Sequence, residues 1–164
     1  MRLVLFFFYI SLSTFSQNIN DDLREIIKST IVEKANNYYN FYQEEKSKVK
    51  NTNNWKIYIA SFKNRIENTY IIDEDGNPKY LDVQSKINFK YLNIYEKRNR
   101  KILRKGIEAW KVLYKLKGSL LTVTIIDFTI RYRDGIYHFI NKGGIEAKYE
   151  YSCEENKWVK ISYN

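Results

Sequence analysis

The chain has a single cysteine, proline, histidine and methionine among 164 residues, and each scarcity removes a class of protein. With Cys153 alone, no intramolecular disulfide can form, so the fold must be held by its core. One histidine, His138, and one cysteine, fifteen positions apart, do not make a metal site, which draws on several His, Cys or clustered carboxylates. Six glycines and one proline leave no low-complexity linker to divide the chain, and no repeat is visible. Glycine-rich phosphate loops, G-x-S-x-G elbows and H-E-x-x-H motifs are absent. No cofactor is called for, and nothing in the motif record recruits an enzyme.

Long hydrophobic runs are missing everywhere except at the start. Arg2 precedes an unbroken apolar run over residues 3–10, and the small residues Thr14 and Ser16 follow. That is the layout of an export signal cleaved after Ser16, and the run falls short of the ~20 residues that span a bilayer. The expectation is therefore a signal peptide over residues 1–16 and one domain over residues 17–164, periplasmic or secreted, with no integral membrane segment. No cysteine follows Ser16, which excludes a lipid-modified N-terminus, and no Asn-x-Ser/Thr acceptor occurs. The wealth of Lys, Asn, Ile and Tyr reads as the coding bias of an AT-rich bacterium.

What is abundant is positive charge and tyrosine. The net charge is +9, or +8 once Arg2 is lost with the leader. Charge of that size favours an anionic envelope component or an acidic protein surface, with nucleic acid disfavoured by export. Fifteen tyrosines, nine phenylalanines and three tryptophans suit a compact core, and 44% hydrophobic residues exclude disorder.

Patterning predicts an α+β fold. Leu23, Ile26, Ile27, Ile31, Ala35, Tyr38, Phe41 and Tyr42 keep the spacing of one buried helical stripe. Asp22 and Glu25 resemble a capping box at its start, Lys46, Lys48 and Lys50 suit its end, and residues 51–54 stop it. Residues 55–62 alternate, Trp55, Ile57 and Ile59 against Lys56, Tyr58 and Ala60, which predicts a strand; residues 86–95 do the same. Residues 73–78 make a dense turn signal. Further strands are expected over 107–117, 119–133, 136–141, 145–153 and 158–163, with Asp134-Gly135 as a hairpin turn. The architecture expected is one long N-terminal helix packed on a curved, mainly antiparallel meander of about six to eight strands. This helix-then-meander order is similar to that of the cystatin or nuclear-transport-factor-2-like cone folds, by element order and not by any motif.

Two candidate sites follow. Residues 96–105 concentrate Lys97, Arg98, Arg100, Lys101, Arg104 and Lys105 on a hairpin tip or short connecting helix. Arginine gives forked contacts to phosphate or carboxylate and lysine a point charge, while Tyr91, Tyr95 and Trp110 nearby offer stacking surfaces. A solvated loop that blunts a sheet edge explains the same residues without a ligand. The alternative site is a pocket between helix and sheet holding Asp127 and His138, for general acid–base work or small-ligand binding. Alternation puts Asp127, Thr129 and Arg131 on one face, so an exposed pairing of Asp127 with Arg131 or Arg133 competes with that reading. Cys153 shares a strand face with Tyr149 and Tyr151 and reads as a packed, inert thiol. Tyr38, Tyr39, Tyr42, Tyr137, Tyr149 and Tyr151 read first as core or rim packing.

Overall fold

A computed structural model describes residues 2–48, 52–72, 75–76 and 83–163, with side chains described from residue 21 onward. The side chains of the apolar run and of Thr14 and Ser16, residues 50–51, and most of the 73–78 turn lie outside the described residues. Among the described residues the fold is α+β, with three α-helices and an open, mixed six-stranded sheet in the order β2-β1-β3-β4-β5-β6.

Helix α1 (Arg2–Ser47) carries the stripe read from the sequence: Ile27, Ile31, Ala35 and Tyr42 are buried, while Phe41 is exposed. The helix runs straight through Asp22, so the capping box is an interior turn and not a helix start. Residues 53–54 do more than stop this helix. Thr52 accepts a hydrogen bond from the Trp55 amide and caps a second helix, α2 (Asn53–Asn68). The strand expected over residues 55–62 is thus helical. Trp55, Tyr58, Ile59, Phe62 and Ile66 recur at helical spacing, and Ile57, which supported the alternation, is 68% exposed. Tyr38, Phe41 and Tyr58 pack on the Phe62 ring and join the two helices.

The chain then enters the sheet as an interior strand next to one edge. Strand β1 (Thr69–Ile72) is buried along its whole length and runs parallel to both neighbours, β2 (Lys90–Tyr91) and β3 (Ile107–Lys117). A short apolar strand covered on both faces is the habit of parallel strands. The strand expected over residues 86–95 contracts to the two residues of β2. After it come a 3₁₀ turn, η1 (Lys97–Asn99), and helix α3 (Arg100–Lys105). From β3 onward the expected antiparallel meander holds: β4 (Leu120–Arg133), β5 (Ile136–Ser152) and β6 (Lys157–Tyr163). Asp134 and Gly135 turn the β4–β5 hairpin with φ of 53° and 81°, as that dipeptide allows.

Residues 136–141 and 145–153, expected as two strands, form one. The register between β4 and β5 shifts between Ile126 and Phe128, where β5 carries one extra residue and Gly143 takes φ 101°. Gly144 is required there, because a Cβ would come within 2.4 Å of the Ile125 carbonyl oxygen. The interruption between the two expected strands is a bulge inside one strand.

The sheet carries a core on each face. On one, Ile27, Ile31 and Ala35 of α1 meet Leu121, Val123 and Ile125 of β4. On the other, Leu103 of α3 and Ile94 meet Ile72, Ile107, Ala109 and Ile130.

Candidate functional site

The basic segment lies on the α3 face as a short helical connection, one of the two forms expected. Leu103 anchors it in the core, which turns the cations outward: Lys97, Arg98, Lys101, Arg104 and Lys105 are exposed. Arg98 pairs with Glu96. No described carboxylate pairs with Lys97, Lys101, Arg104 or Lys105. Arg100 folds back, its guanidinium 4.9 Å from the Tyr132 ring centre, with a buried Nε that makes no hydrogen bond among the described residues.

Aromatic rings do accompany these cations, but only one is a ring expected there. Tyr95 is exposed and meets Tyr137 edge-on at 5.4 Å, and Tyr137 lies 4.8 Å from Tyr132. Trp110 is on the opposite face, where it is buried 5.0 Å from Phe89. Strand parity is the reason: Ile107 and Ala109 point toward α3, so Trp110 points toward α1 and α2. Tyr91 also packs against that α1 side. Tyr132 and Tyr137 were the residues sequence proximity missed. Arg131 is not among them: like Asp127 and Thr129 it alternates to the opposite face of β4, where a Cβ on Gly106 would come within 3.0 Å of its Nε. Only the pairing of β4 with β5 brings Tyr132 and Tyr137 to the platform.

Asp127 and His138 are not brought together. Asp127 faces α1, where Lys34 Nζ lies 3.0 Å from both carboxylate oxygens and hydrogen-bonds Oδ2. Its partner is therefore Lys34, neither Arg131 nor Arg133. His138 sits opposite Arg131 and is exposed, and is not among the residues lining the Asp127 cavity. Cys153 is exposed in the turn between β5 and β6, at the other end of β5, about 50 Å of strand away from His138. The packed thiol expected at that position is corrected, because β5 ends one residue earlier, at Ser152.

The Asp127 carboxylate and the Tyr38 hydroxyl border a cavity of about 60 Å³ with Arg65, Glu108, Trp110 and Lys142. It has room for a few waters or a small ion and not for an organic substrate. Lys34 Nζ is 4.9 Å from the Trp110 ring centre. Burial raises the Asp127 carboxyl above the ordinary range, against the pull of Lys34; burial lowers the Lys34 ammonium, against the pull of Asp127. Burial likewise raises the Tyr38 hydroxyl, opposed by Arg65. Asp127 Oδ1 and Tyr38 Oη are buried without a hydrogen bond of good geometry among the described residues. Glu108 accepts from Lys142 at 2.8 Å and from Thr129 at 3.0 Å, closing the network across β3, β4 and β5. The cluster ties both helices to the sheet.

No described helix is long and apolar enough to cross a membrane, and no described group of His, Cys, Asp and Glu could hold a metal ion. The chain matches no protein-family model, no curated protein and no solved structure.

Proposed function

We propose that this chain is a non-catalytic binding module whose basic surface, residues 97–105, engages an anionic envelope component or an acidic protein surface. The observation that carries the reading is the outward display of Lys97, Lys101, Arg104 and Lys105, with no described carboxylate to neutralise them. A solvated surface that served only solubility would gain from interspersed charge of both signs. Here one sign is concentrated, beside Tyr95 and Tyr137. The leader over residues 1–16 adds the location: export to the periplasm or beyond the cell, where polyanionic glycans and lipid head groups are the available partners.

The finer fold reading belongs to the same proposal. A long helix laid across a curved sheet, in the manner of the cone folds, is supported by the shared core of α1 with β4 and β5. Cone folds host binders and enzymes alike, so the site and not the fold argues the function. The cavity-enzyme alternative has less support. The space at Asp127 is about 60 Å³, and His138 does not line it.

The test is retention of the full chain on immobilised polyphosphate and on a neutral polysaccharide across a salt gradient. Retention on polyphosphate alone, falling as salt rises, is expected. Replacing Lys97, Arg98, Arg100, Lys101, Arg104 and Lys105 with glutamine should abolish it while the circular dichroism spectrum stays unchanged. Unaltered retention by that variant, with the same salt dependence, overturns the proposal.

A further inference from the structure

Strand β5 has a bare edge. Strand β6 pairs with residues 147–152 only, so no described strand pairs with the outer edge of residues 136–146; at the bulge the Gly143 amide donates instead to Asn141 Oδ1. Unpaired strand edges are ordinarily blunted by lysine, proline, shortness or a bulge. The other edges here follow that habit: β2 is two residues long and includes Lys90, and β6 carries Lys157 and Lys160. Residues 136–141 do not. They contain no Lys, Arg, Asp, Glu or Pro, in a chain that is 29% charged. Ile136 is 60% and Ile140 50% exposed, and Phe139 is exposed on the opposite face. The bulge at Gly143 and Gly144 ends the flat stretch.

We infer that residues 136–141 form the seam of a symmetric dimer, in which the edge of one chain pairs antiparallel with the same edge of a second copy. Only an extended backbone satisfies a row of outward N–H and C=O groups, and an antiparallel pairing about a two-fold axis matches an edge to itself. Two molecules of charge +9 repel, so a seam between them must be free of charge, and this is the unguarded stretch where it is. Residues 136–141 bury little area, which makes the dimer a weak, concentration-dependent one.

The pairing has a functional consequence. A two-fold axis perpendicular to the joined sheet keeps each face on its own side, so both α3 platforms lie on the same face of one continuous sheet. A long polyanion meets two basic surfaces at once, and avidity replaces tight binding at either. This consequence rests on the proposed polyanion role; the dimer itself does not.

Sedimentation of the full chain without any ligand, over a range of concentrations, tests the seam. The expected result is a monomer–dimer equilibrium that Ile136→Lys with Ile140→Lys shifts at least tenfold toward monomer. Ile161→Lys, equally exposed but on β6, should leave it unchanged. A wild-type chain that stays monomeric at every concentration overturns the inference and leaves the edge for an extended segment of another protein. So does a dimer that survives the double substitution. Retention on polyphosphate then separates the two claims. The double variant should elute at lower salt despite its intact platform, and equal elution removes the bivalent role. The glutamine variant of the platform should remain dimeric but unretained; if it is retained, the polyanion role fails and the dimer stands.

Discussion

Ala147 and Tyr149, in the second half of β5, lie between β4 and β6, and Tyr149 hydrogen-bonds Thr30 of α1 at 2.8 Å. Ile136 and Ile140, in the first half of the same strand, have β4 on one side and stay half or more exposed. One backbone thus passes through a packed interior and an open edge. Hydrogen bonding to β4 sets the length of the strand, while α1 and β6 set how much of it becomes core. A strand can therefore be long without being buried, and its apolar residues outside the helix footprint are available for other contacts.

Breaking the packed half should cost most. Leu121→Ala removes a fully buried side chain beneath α1 and should lower the unfolding free energy by about 2–5 kcal/mol in urea titration. Next comes Lys34→Met, which strands Asp127. A loss of about 2–3 kcal/mol is expected, below the ~3–5 typical of a buried pair because the Asp127 side chain is 34% exposed beside a Lys34 that is 8% exposed.

The pH dependence of that pair has a definite sign. A raised carboxyl such as Asp127 contributes stability that is fully present below its ordinary pKa and lost as pH rises through the folded value. A lowered ammonium such as Lys34 contributes stability present above its ordinary pKa and lost as pH falls through the folded value. Between the two ordinary values each contribution is reduced, and the charged pair is a net cost. The double substitution Lys34→Met with Asp127→Leu should therefore gain on the wild type as pH climbs from the acid range to neutrality. A stability difference that does not change with pH would overturn this account.

At the junction of the two halves, Gly144→Ala forces a Cβ against the Ile125 carbonyl and should cost about 1–3 kcal/mol by thermal melting. Away from β5, Thr52→Ala removes the cap of α2 and should cost about 1 kcal/mol. Smallest of all, Ile140→Ala on the bare edge should change stability by no more than ~0.5 kcal/mol at concentrations where the chain is monomeric. A large loss there would mean that something covers this edge even in the monomer.

Much of this architecture was legible in residue order because the relevant signals are local. The stripe from Ile27 to Tyr42, the Asp134-Gly135 turn and the strands of the meander each depend on residues close together in the chain. Residues 55–62 misled because five or six residues can satisfy period two and period 3.6 together; extending the window to Ile66 and noting Thr52 as a cap separates them. β1 was not legible as an interior strand because the four residues Thr69–Ile72 are too few to show a period. The candidate site was half legible. Its cations are close together in sequence, whereas Tyr132 and Tyr137 reach them across strands, and Trp110 is turned away by parity.

The amino-acid order by itself determined most local elements, the charge, the lack of an intramolecular disulfide and the clustering of cations over residues 97–105, none of which depends on how distant segments pair. Only the tertiary structure decided that β1 enters the sheet between β2 and β3, that Asp127 meets Lys34 across the helix–sheet interface, and that residues 136–141 end at an open edge. Those outcomes depend on which strand pairs with which and on where a helix comes to rest. Both are settled by the burial of apolar surface over the whole chain, a sum to which no single segment holds the answer.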